Sequence, residues 1–81
     1  MRVDKFLNSV NIAKRRSIAD EMCKEGVVFI NSKKAKPSKE VKVGGIIEIH
    51  YLNGIKRYEV LKIPETKTIP KSKKFEYIKE I

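Results

Sequence analysis

Apolar positions near the start of the chain follow the spacing of a helix. They recur every three or four residues: Val3, Phe6, Leu7 and Val10. This spacing places them on one face of a short helix and predicts that this face is buried. Asp4 has a side chain of the type that caps a helix N-terminus, and Asn11 is placed to end the helix. We therefore predict a first helix between these two residues.

A second helical pattern runs from about Arg15 to Glu25. Its apolar positions form two pairs that lie four residues apart: Ile18 with Met22, and Ala19 with Cys23. Because residues four apart lie above one another on a helix, the pairs predict one stripe that faces the core. Gly26 follows at the position where a glycine often closes a helix in the left-handed conformation.

Strand patterns follow the second helix. The apolar run at residues 27–30 (VVFI) is too short for a helix and rich in β-branched residues, so it predicts a buried strand. Asn31 and Ser32 predict a turn into a lysine-rich return strand. Further on, Val41 and Val43 are expected to point inward.

A hairpin is the clearest local signal in the chain. Asn-Gly at 53–54 separates two β-prone runs, residues 46–52 and 55–63, and this dipeptide is the strongest short hairpin signal. Residues 64–74 are polar and contain two prolines, which predicts a loop or tether. The alternation over residues 75–81 favours a last edge strand over a short helix.

The predicted order is two short N-terminal helices followed by a small, mostly antiparallel sheet. This order indicates an α+β fold with the helices packed on the sheet. Residues 1–63 are expected to form one domain, and residues 64–81 a C-terminal extension with a loop and an edge strand. The chain has 81 residues, of which 41% are hydrophobic, enough for a small core and too many for a fully disordered chain.

Positive charge is in large excess. Nineteen Lys and Arg face ten Asp and Glu, which gives a formal net charge of +9. Such an excess repels itself and favours a polyanionic partner, which is RNA, DNA or an acidic membrane surface.

The sequence does not indicate catalysis. Cys23 is the single cysteine and His50 the single histidine, so neither an internal disulfide nor a Cys/His metal site is expected. The chain has no phosphate-binding glycine loop, and its length leaves little room for a catalytic cleft. We expect a protein with no enzymatic activity, no metal and no cofactor.

The first residues, MRVDKFLNSV, lack the long apolar run of a signal peptide. No apolar run approaches the roughly 20 residues of a membrane span. A lone cysteine also fits a reducing compartment. We therefore expect a cytoplasmic protein without a membrane partner.

Cations gather in clusters. Apart from the tail, the clusters are Arg2 with Lys5, then Lys14 to Arg16, then Lys33, Lys34, Lys36 and Lys39. The middle cluster stands at the start of the second helix, where the helix dipole disfavours positive charge and a bound phosphate would compensate it. If the two helices pack as a hairpin, Arg2 and Arg16 converge on one phosphate-binding surface. The alternative, that the clusters are separate solvated patches, stays open.

Four motifs in order carry a resemblance to a known family. They are residues 2–4 (RVD), 15–19 (RRSIA), 26–31 (GVVFIN) and 41–47 (VKVGGII). The set resembles the S4 RNA-binding domain, also called the alpha-L motif, over about residues 2–49. Ser32 stands where the family has a turn glycine, and Arg15 where it often has a small polar residue.

The resemblance implies an alpha-L fold that grips structured RNA, largely through phosphates. The RNA-binding residues that it implies are Arg2, Lys5, Lys14, Arg15, Arg16, Ser17, Lys33, Lys34 and Lys36. The supporting residues are Asp4, Ala19, Gly26 and Asn31. Among these, Asp4 is expected to orient Arg2 or to cap the first helix.

Family members of similar size imply the large ribosomal subunit as partner. The implied role is binding of rRNA, with direct tRNA contact left open, during rescue of stalled ribosomes and tailing of the nascent chain. We expect the chain to act as a monomer. The alternatives are a ribosome assembly or heat-shock recycling factor, a basic adaptor that binds a protein, and a DNA-compaction protein.

Overall fold

The structure, a computed structural model, describes residues 1–65 and 69–81. In chain order its elements are α1 (Val3–Ser9), α2 (Arg16–Lys24), β1 (Val28–Ile30), β2 (Lys33–Lys34), β3 (Ile46–Tyr51), β4 (Gly54–Val60), a 3₁₀ turn (Lys71–Lys73), α3 (Lys74–Tyr77) and β5 (Ile78–Glu80). The strands form one sheet in the order β2-β1-β3-β4-β5, and every neighbouring pair is antiparallel. The predicted α+β fold is confirmed.

One apolar core joins α1 to the sheet. The four apolar residues of the first helical pattern are fully buried, and they belong to the same cluster as Ile47, Ile49 and Val60 of the central strands. Glu48 and Arg57 alternate with these residues and lie on the sheet's other, open face. The helices therefore cover one face of the sheet, and burial of that face supplies most of the stabilisation.

Both long helices end where the sequence predicts, in the same backbone motif. At the end of α1, Asn11 has a φ of 63°, and the Ile12 N–H donates to the Leu7 carbonyl. At the end of α2, Gly26 has a φ of 77°, and the Val27 N–H donates to the Met22 carbonyl. These are Schellman motifs, in which a left-handed residue lets the chain satisfy the last helical carbonyls.

The start of α1 corrects one prediction, because Asp4 lies inside the helix and does not cap it. The helix begins at Val3, and within the described residues no side chain caps it. Backbone carbonyls take that role: Val3 N–H donates to Lys39 O at 2.7 Å and Asp4 N–H to Pro37 O at 3.3 Å. The segment 37–39 thus satisfies the first two N–H groups of the helix. Asp4 Oδ1 accepts the next one, that of Lys5, and Oδ2 is available for side chains.

Two apolar side chains predicted to be buried are exposed. Ile18 lies in the first turn of α2, all of which faces solvent, so the buried stripe consists of Ala19 and Cys23. Val43 is 63% exposed because residues 42–45 form a turn, closed by the Gly45 N–H donating to the Lys42 carbonyl. The inward and outward alternation of a strand does not apply within such a turn.

The two predicted turns form with altered detail. Asn31 and Ser32 both have positive φ, 50° and 70°, as a two-residue hairpin turn requires, although one of them is a serine. In the second hairpin Tyr51 pairs with Gly54, so the loop is residues 52–53, one position earlier than predicted. Gly54 begins β4 with a φ of 145°, a conformation that glycine adopts readily.

The C-terminal segment contains both of the elements that its sequence left open. Residues 74–77 form one helical turn, and β5 then pairs with β4 as an edge strand. Ile78 pairs with Val60 and is fully buried, which fixes the register of this edge. Residues 66–68 of the predicted loop lie outside the described residues. The division into two parts at residue 63 stays a prediction.

Candidate RNA-binding interface

A buried carboxylate organises the surface between the two helices. Asp4 is 2% exposed, and its Oδ2 accepts a hydrogen bond from Arg2 Nη2 at 3.1 Å. The Nε of Arg16 lies 3.5 Å from the same oxygen. The other oxygen, Oδ1, accepts the Lys5 N–H at 2.7 Å. We call Arg2, Asp4 and Arg16 the Asp4 cluster.

The fold places the three residues of the Asp4 cluster together. Arg2 precedes the first residue of α1, and Arg16 is the first residue of α2. The Schellman motif at Asn11 reverses the chain between the helices, so the two starts meet although they are far apart in sequence. The predicted convergence of Arg2 and Arg16 is therefore present in the structure.

The guanidinium groups of the Asp4 cluster remain accessible. The side chains of Arg2 and Arg16 are 48% and 49% exposed, although the carboxylate beneath them is buried. Each guanidinium has five N–H donors, and Asp4 contacts one nitrogen of each. The remaining donors of two oriented forks can bind an external phosphate through paired hydrogen bonds.

The remaining cations of the two helices lie around this cluster without joining it. Lys5 is half-buried in α1, and its backbone N–H, not its ammonium, contacts Asp4. Lys14 and Arg15 are exposed in the connection between the helices, and Ser17 is exposed in the first turn of α2. Within the described part of the chain, no side chain caps α2, and the Arg15 carbonyl accepts the Ile18 N–H of its first turn at 3.1 Å.

The lysines after β1 border a cleft of about 490 Å3. Lys33 and Lys34 form β2, and Lys36 and Lys39 follow in the segment that bonds to the start of α1. We call this the lysine cleft. Its segment 37–39 is joined to the start of α1, because the Lys39 and Pro37 carbonyls accept the first backbone N–H groups of that helix.

The predicted supporting residues act on the backbone. Ala19 is fully buried, Gly26 closes α2, and Asn31 forms the β1–β2 turn. The Asn31 Oδ1 also accepts the Ile46 N–H at 3.0 Å, which ties this turn to β3.

At the N-terminus, the ammonium of Met1 lies 2.6 Å from the Glu40 carboxylate. Its hydrogen bond, together with its charge, lowers the pKa of Glu40 below the ordinary value.

A second charged cluster lies on the open face of the sheet. Glu48 Oε2 accepts a hydrogen bond from Arg57 Nε at 2.6 Å, and Glu48 Oε1 lies 2.6 Å from His50 Nε2. The ring of His50 stacks on Phe29 with centroids 4.3 Å apart. The hydrogen bond with His50, followed by that with Arg57, lowers the pKa of Glu48. The stack depends on the β1–β3 pairing, which the sequence does not show.

Cys23 has the properties of a packing residue. It is buried in the core, and burial, followed by the negative charges of Asp4 and Asp20, raises the pKa of its thiol to about 11. A thiol with such a pKa is protonated near neutral pH and is a poor nucleophile.

Within residues 1–65 and 69–81, no group of three or more His, Cys, Asp or Glu side chains is arranged to hold a metal ion. None of the described helices is long and apolar enough to cross a membrane.

The family model described as "S4 domain" matches residues 1–47. A protein of Helicobacter pylori named "RQC P-site tRNA stabilizing factor" is 51% identical over 78 residues, which cover 96% of this chain and 93% of that protein. Heat shock protein 15 of Vibrio cholerae, whose structure is described as trimeric, has a TM-score of 0.91 and 30% identity, covering 100% of this chain and 81% of that one.

The solution structure of a hypothetical protein has a TM-score of 0.87 and 48% identity, covering 100% of this chain and 96% of that one. The matched residues 1–47 include the whole Asp4 cluster and the lysine cleft. The family model thus matches more than half of the chain, and the relatives match nearly all of it. The chain belongs to the S4 domain family.

Proposed function

We propose that this chain binds structured RNA of the large ribosomal subunit through the Asp4 cluster and acts without a catalytic step. The observation that carries the proposal is that Arg2 and Arg16 meet at one buried carboxylate oxygen. Two permanent positive charges against one negative charge leave the cluster attractive to phosphate. The buried position of Asp4 holds both guanidinium groups in place before RNA arrives.

The surrounding surface favours RNA that is recognised by shape. The cations of the helix connection and of the lysine cleft are exposed, and the exposed aromatic rings of Tyr51 and Phe75 lie in the β3–β4 hairpin and the C-terminal segment. A rigid basic surface with few stacking rings contacts phosphates and 2′-hydroxyls of folded RNA. The protein-adaptor and DNA-compaction alternatives explain neither the oriented arginine pair nor the family membership.

We further propose that this chain has the role that the name "RQC P-site tRNA stabilizing factor" describes. On this proposal, the chain binds cytoplasmic large subunits that carry tRNA in the P site. There it stabilises that tRNA while the nascent chain of a stalled ribosome is tailed. The support is the match to the Helicobacter pylori protein over nearly the full length of both chains. We also propose that it acts as a monomer.

A second candidate function follows from the similarity to heat shock protein 15. The fold agrees over the whole of this chain, with a TM-score of 0.91. The sequence identity to heat shock protein 15 is 30%, and the match covers 81% of that protein. The identity to the Helicobacter pylori protein is 51%, and that match covers 93% of that protein. We therefore rank heat-shock recycling second.

RNA binding is tested with two matched arginine variants. Arg16→Ala removes an arginine that contacts a carboxylate in the Asp4 cluster, and Arg57→Ala removes one that contacts a carboxylate on the open sheet face. We expect Arg16→Ala to weaken binding to a folded rRNA hairpin about tenfold or more, and to reduce the slope of log K against log salt by about 0.7 to 0.9. Equal effects of the two variants would show diffuse charge and contradict a specific site.

The ribosomal role is tested by sedimentation. Tagged protein is mixed with purified large subunits that either carry or lack a P-site tRNA, and is then centrifuged through a gradient. We expect co-sedimentation with large subunits, stronger when the tRNA is present and reduced by Arg16→Ala. Protein that stays at the top of the gradient at low salt would contradict the ribosomal proposal. Equal binding to both kinds of subunit would contradict the tRNA part alone.

A further inference from the structure

The lysine cleft combines an apolar floor with a cationic border. Ile30 and Ala35 line it and are 8% and 5% exposed, so their side chains close its base. The border consists of the four lysines of this cleft: Lys33, Lys34, Lys36 and Lys39. The residues that line it, all in the described part of the chain, include no Asp or Glu. Such a cleft is complementary to a ligand with an apolar, planar body and a negative charge.

The volume and the lining distinguish this cleft from a site for a phosphate alone. About 490 Å3 falls within the range of pockets that hold small organic ligands. A phosphate is bound by hydrogen-bond donors and positive charges and needs no apolar floor. Binding of a nucleobase is stabilised when its ring is removed from water. The lysines of the border are exposed, and the methylene stem of a lysine adds apolar surface beside its charge. The end of the Lys34 side chain lies near Gly26. Asn31 and Ser38 supply polar groups at the same cleft.

One segment of the cleft border is bonded to the start of α1, beside the Asp4 cluster. The Val3 N–H donates to Lys39 O at 2.7 Å, and the Asp4 N–H donates to Pro37 O at 3.3 Å. The cleft border is therefore joined by backbone hydrogen bonds to the residues next to Arg2. The bases of a duplex are stacked and cannot enter a cleft, but a bulged or terminal nucleotide can.

We propose that the lysine cleft binds one unpaired nucleotide, with its base on the Ile30 and Ala35 floor and its phosphates on the lysine border. The proposal rests on the RNA-binding function proposed above and specifies its substrate: folded RNA with an unpaired nucleotide beside the helix that the Asp4 cluster holds. The cleft therefore contributes selectivity among folded RNAs, whereas the Asp4 cluster contributes affinity for any of them.

The experiment uses three RNA hairpins of one sequence and measures binding by fluorescence anisotropy. The first hairpin is fully paired, the second has a one-nucleotide bulge, and the third has an abasic residue at the bulge. We expect the whole chain to bind the base-bearing bulge about tenfold more tightly than the abasic bulge, because only the first can place a ring in the cleft. The ratio of these two affinities is the readout, since both RNAs have the same charge.

A pair of serine variants locates the effect. Ser38 lines the cleft, whereas Ser72 lies in the 3₁₀ turn, and both residues are exposed. Ser38→Phe is designed to fill the cleft with an aromatic ring. Ser72→Phe is its control, because it adds the same ring away from the cleft. We expect the ratio to fall to about one in Ser38→Phe and to stay unchanged in Ser72→Phe. Lys33→Ala should weaken both bulged RNAs more than the paired hairpin.

Two results would overturn the cleft proposal. One is an equal affinity of the unchanged chain for the base-bearing and abasic bulges. The other is a ratio that survives Ser38→Phe. Both leave the Asp4 cluster untouched, since binding of the fully paired hairpin and its loss in Arg16→Ala test that function separately. Failure of the RNA-binding function would instead show as equal effects of Arg16→Ala and Arg57→Ala on the paired hairpin.

Discussion

Two carboxylates each hold two basic groups, and only one of the clusters is suited to bind a polyanion. In the Asp4 cluster, one buried oxygen serves two arginines from different helices, at 3.1 and 3.5 Å. In the Glu48 cluster, each oxygen has its own partner at 2.6 Å, His50 or Arg57, on strands of one hairpin. The Glu48 side chain is 19% exposed, against 3% for Asp4.

The difference lies in how far each carboxylate satisfies its cations. Glu48 balances Arg57 with a hydrogen bond of 2.6 Å to one oxygen, and its other oxygen contacts His50. Asp4 shares one oxygen between two permanent cations, so positive charge remains. A sequence count of charges treats the clusters as similar, whereas the geometry leaves an oriented excess only at Asp4.

Replacing the two carboxylates by alanine should give the largest contrast in stability. Asp4→Ala leaves a gap under two arginines and removes the acceptor of the Lys5 N–H, so we expect a loss of about 2 kcal/mol. Glu48→Ala removes pairs on the open face of the sheet, where solvent screens the charges, so we expect a clearly smaller loss. Urea unfolding of both variants measures the difference. Equal losses would show that the burial of Asp4 has no energetic consequence.

A charge-conserving change should have a smaller effect, confined to RNA affinity. Arg16→Lys keeps the positive charge but replaces a planar fork by a single ammonium, so we expect RNA affinity to fall about fivefold, or about 1 kcal/mol. Arg57→Lys is the matched control and should leave the affinity unchanged. Anisotropy titrations with the paired hairpin measure both. If Arg16→Lys binds as tightly as the unchanged chain, RNA affinity depends on the positive charge at position 16 and not on the planar guanidinium.

The smallest expected effect is the pH dependence of the Glu48 cluster. Its pKa in the folded chain lies below the ordinary value of 4.5, so its contribution to stability is present above that value and is lost as the pH falls through the folded pKa. We expect Glu48→Gln to lower the urea midpoint near neutral pH and to converge with the unchanged chain once the pH falls below the folded pKa of Glu48. A difference that grows on acidification would contradict this sign.

Features set by local sequence could be predicted. The ends of both helices follow from Asn11 and Gly26, because a left-handed residue at C′ acts within one turn. The hairpin follows from Asn-Gly at 53–54, although its loop is shifted by one residue. The Glu48–Arg57 pair depends on this shift, since the predicted loop would have placed Glu48 opposite Glu59.

Features that join distant segments could not be derived from pattern alone. Arg16 reaches Asp4 only because α1 and α2 pack together, and the pattern left that convergence open. The segment 37–39 replaces the predicted cap of α1, and Ile69 returns to the end of α1, where its N–H donates to Ser9 O at 3.2 Å. The RNA-binding role of the site residues that family resemblance implies stays a prediction, whereas the geometry shows that Arg2 and Arg16 share a carboxylate.

The most direct test of the central claim, that Asp4 positions Arg2 and Arg16 for RNA, is the RNA affinity of Asp4→Asn beside Glu48→Gln. Each substitution removes one negative charge at nearly constant shape, so attraction by net charge alone predicts tighter binding for both. We expect Asp4→Asn to bind the paired hairpin severalfold more weakly, because the two arginines lose the charge that orients them. We expect Glu48→Gln to bind it with unchanged or slightly higher affinity. Tighter or unchanged binding by folded Asp4→Asn would contradict the central claim.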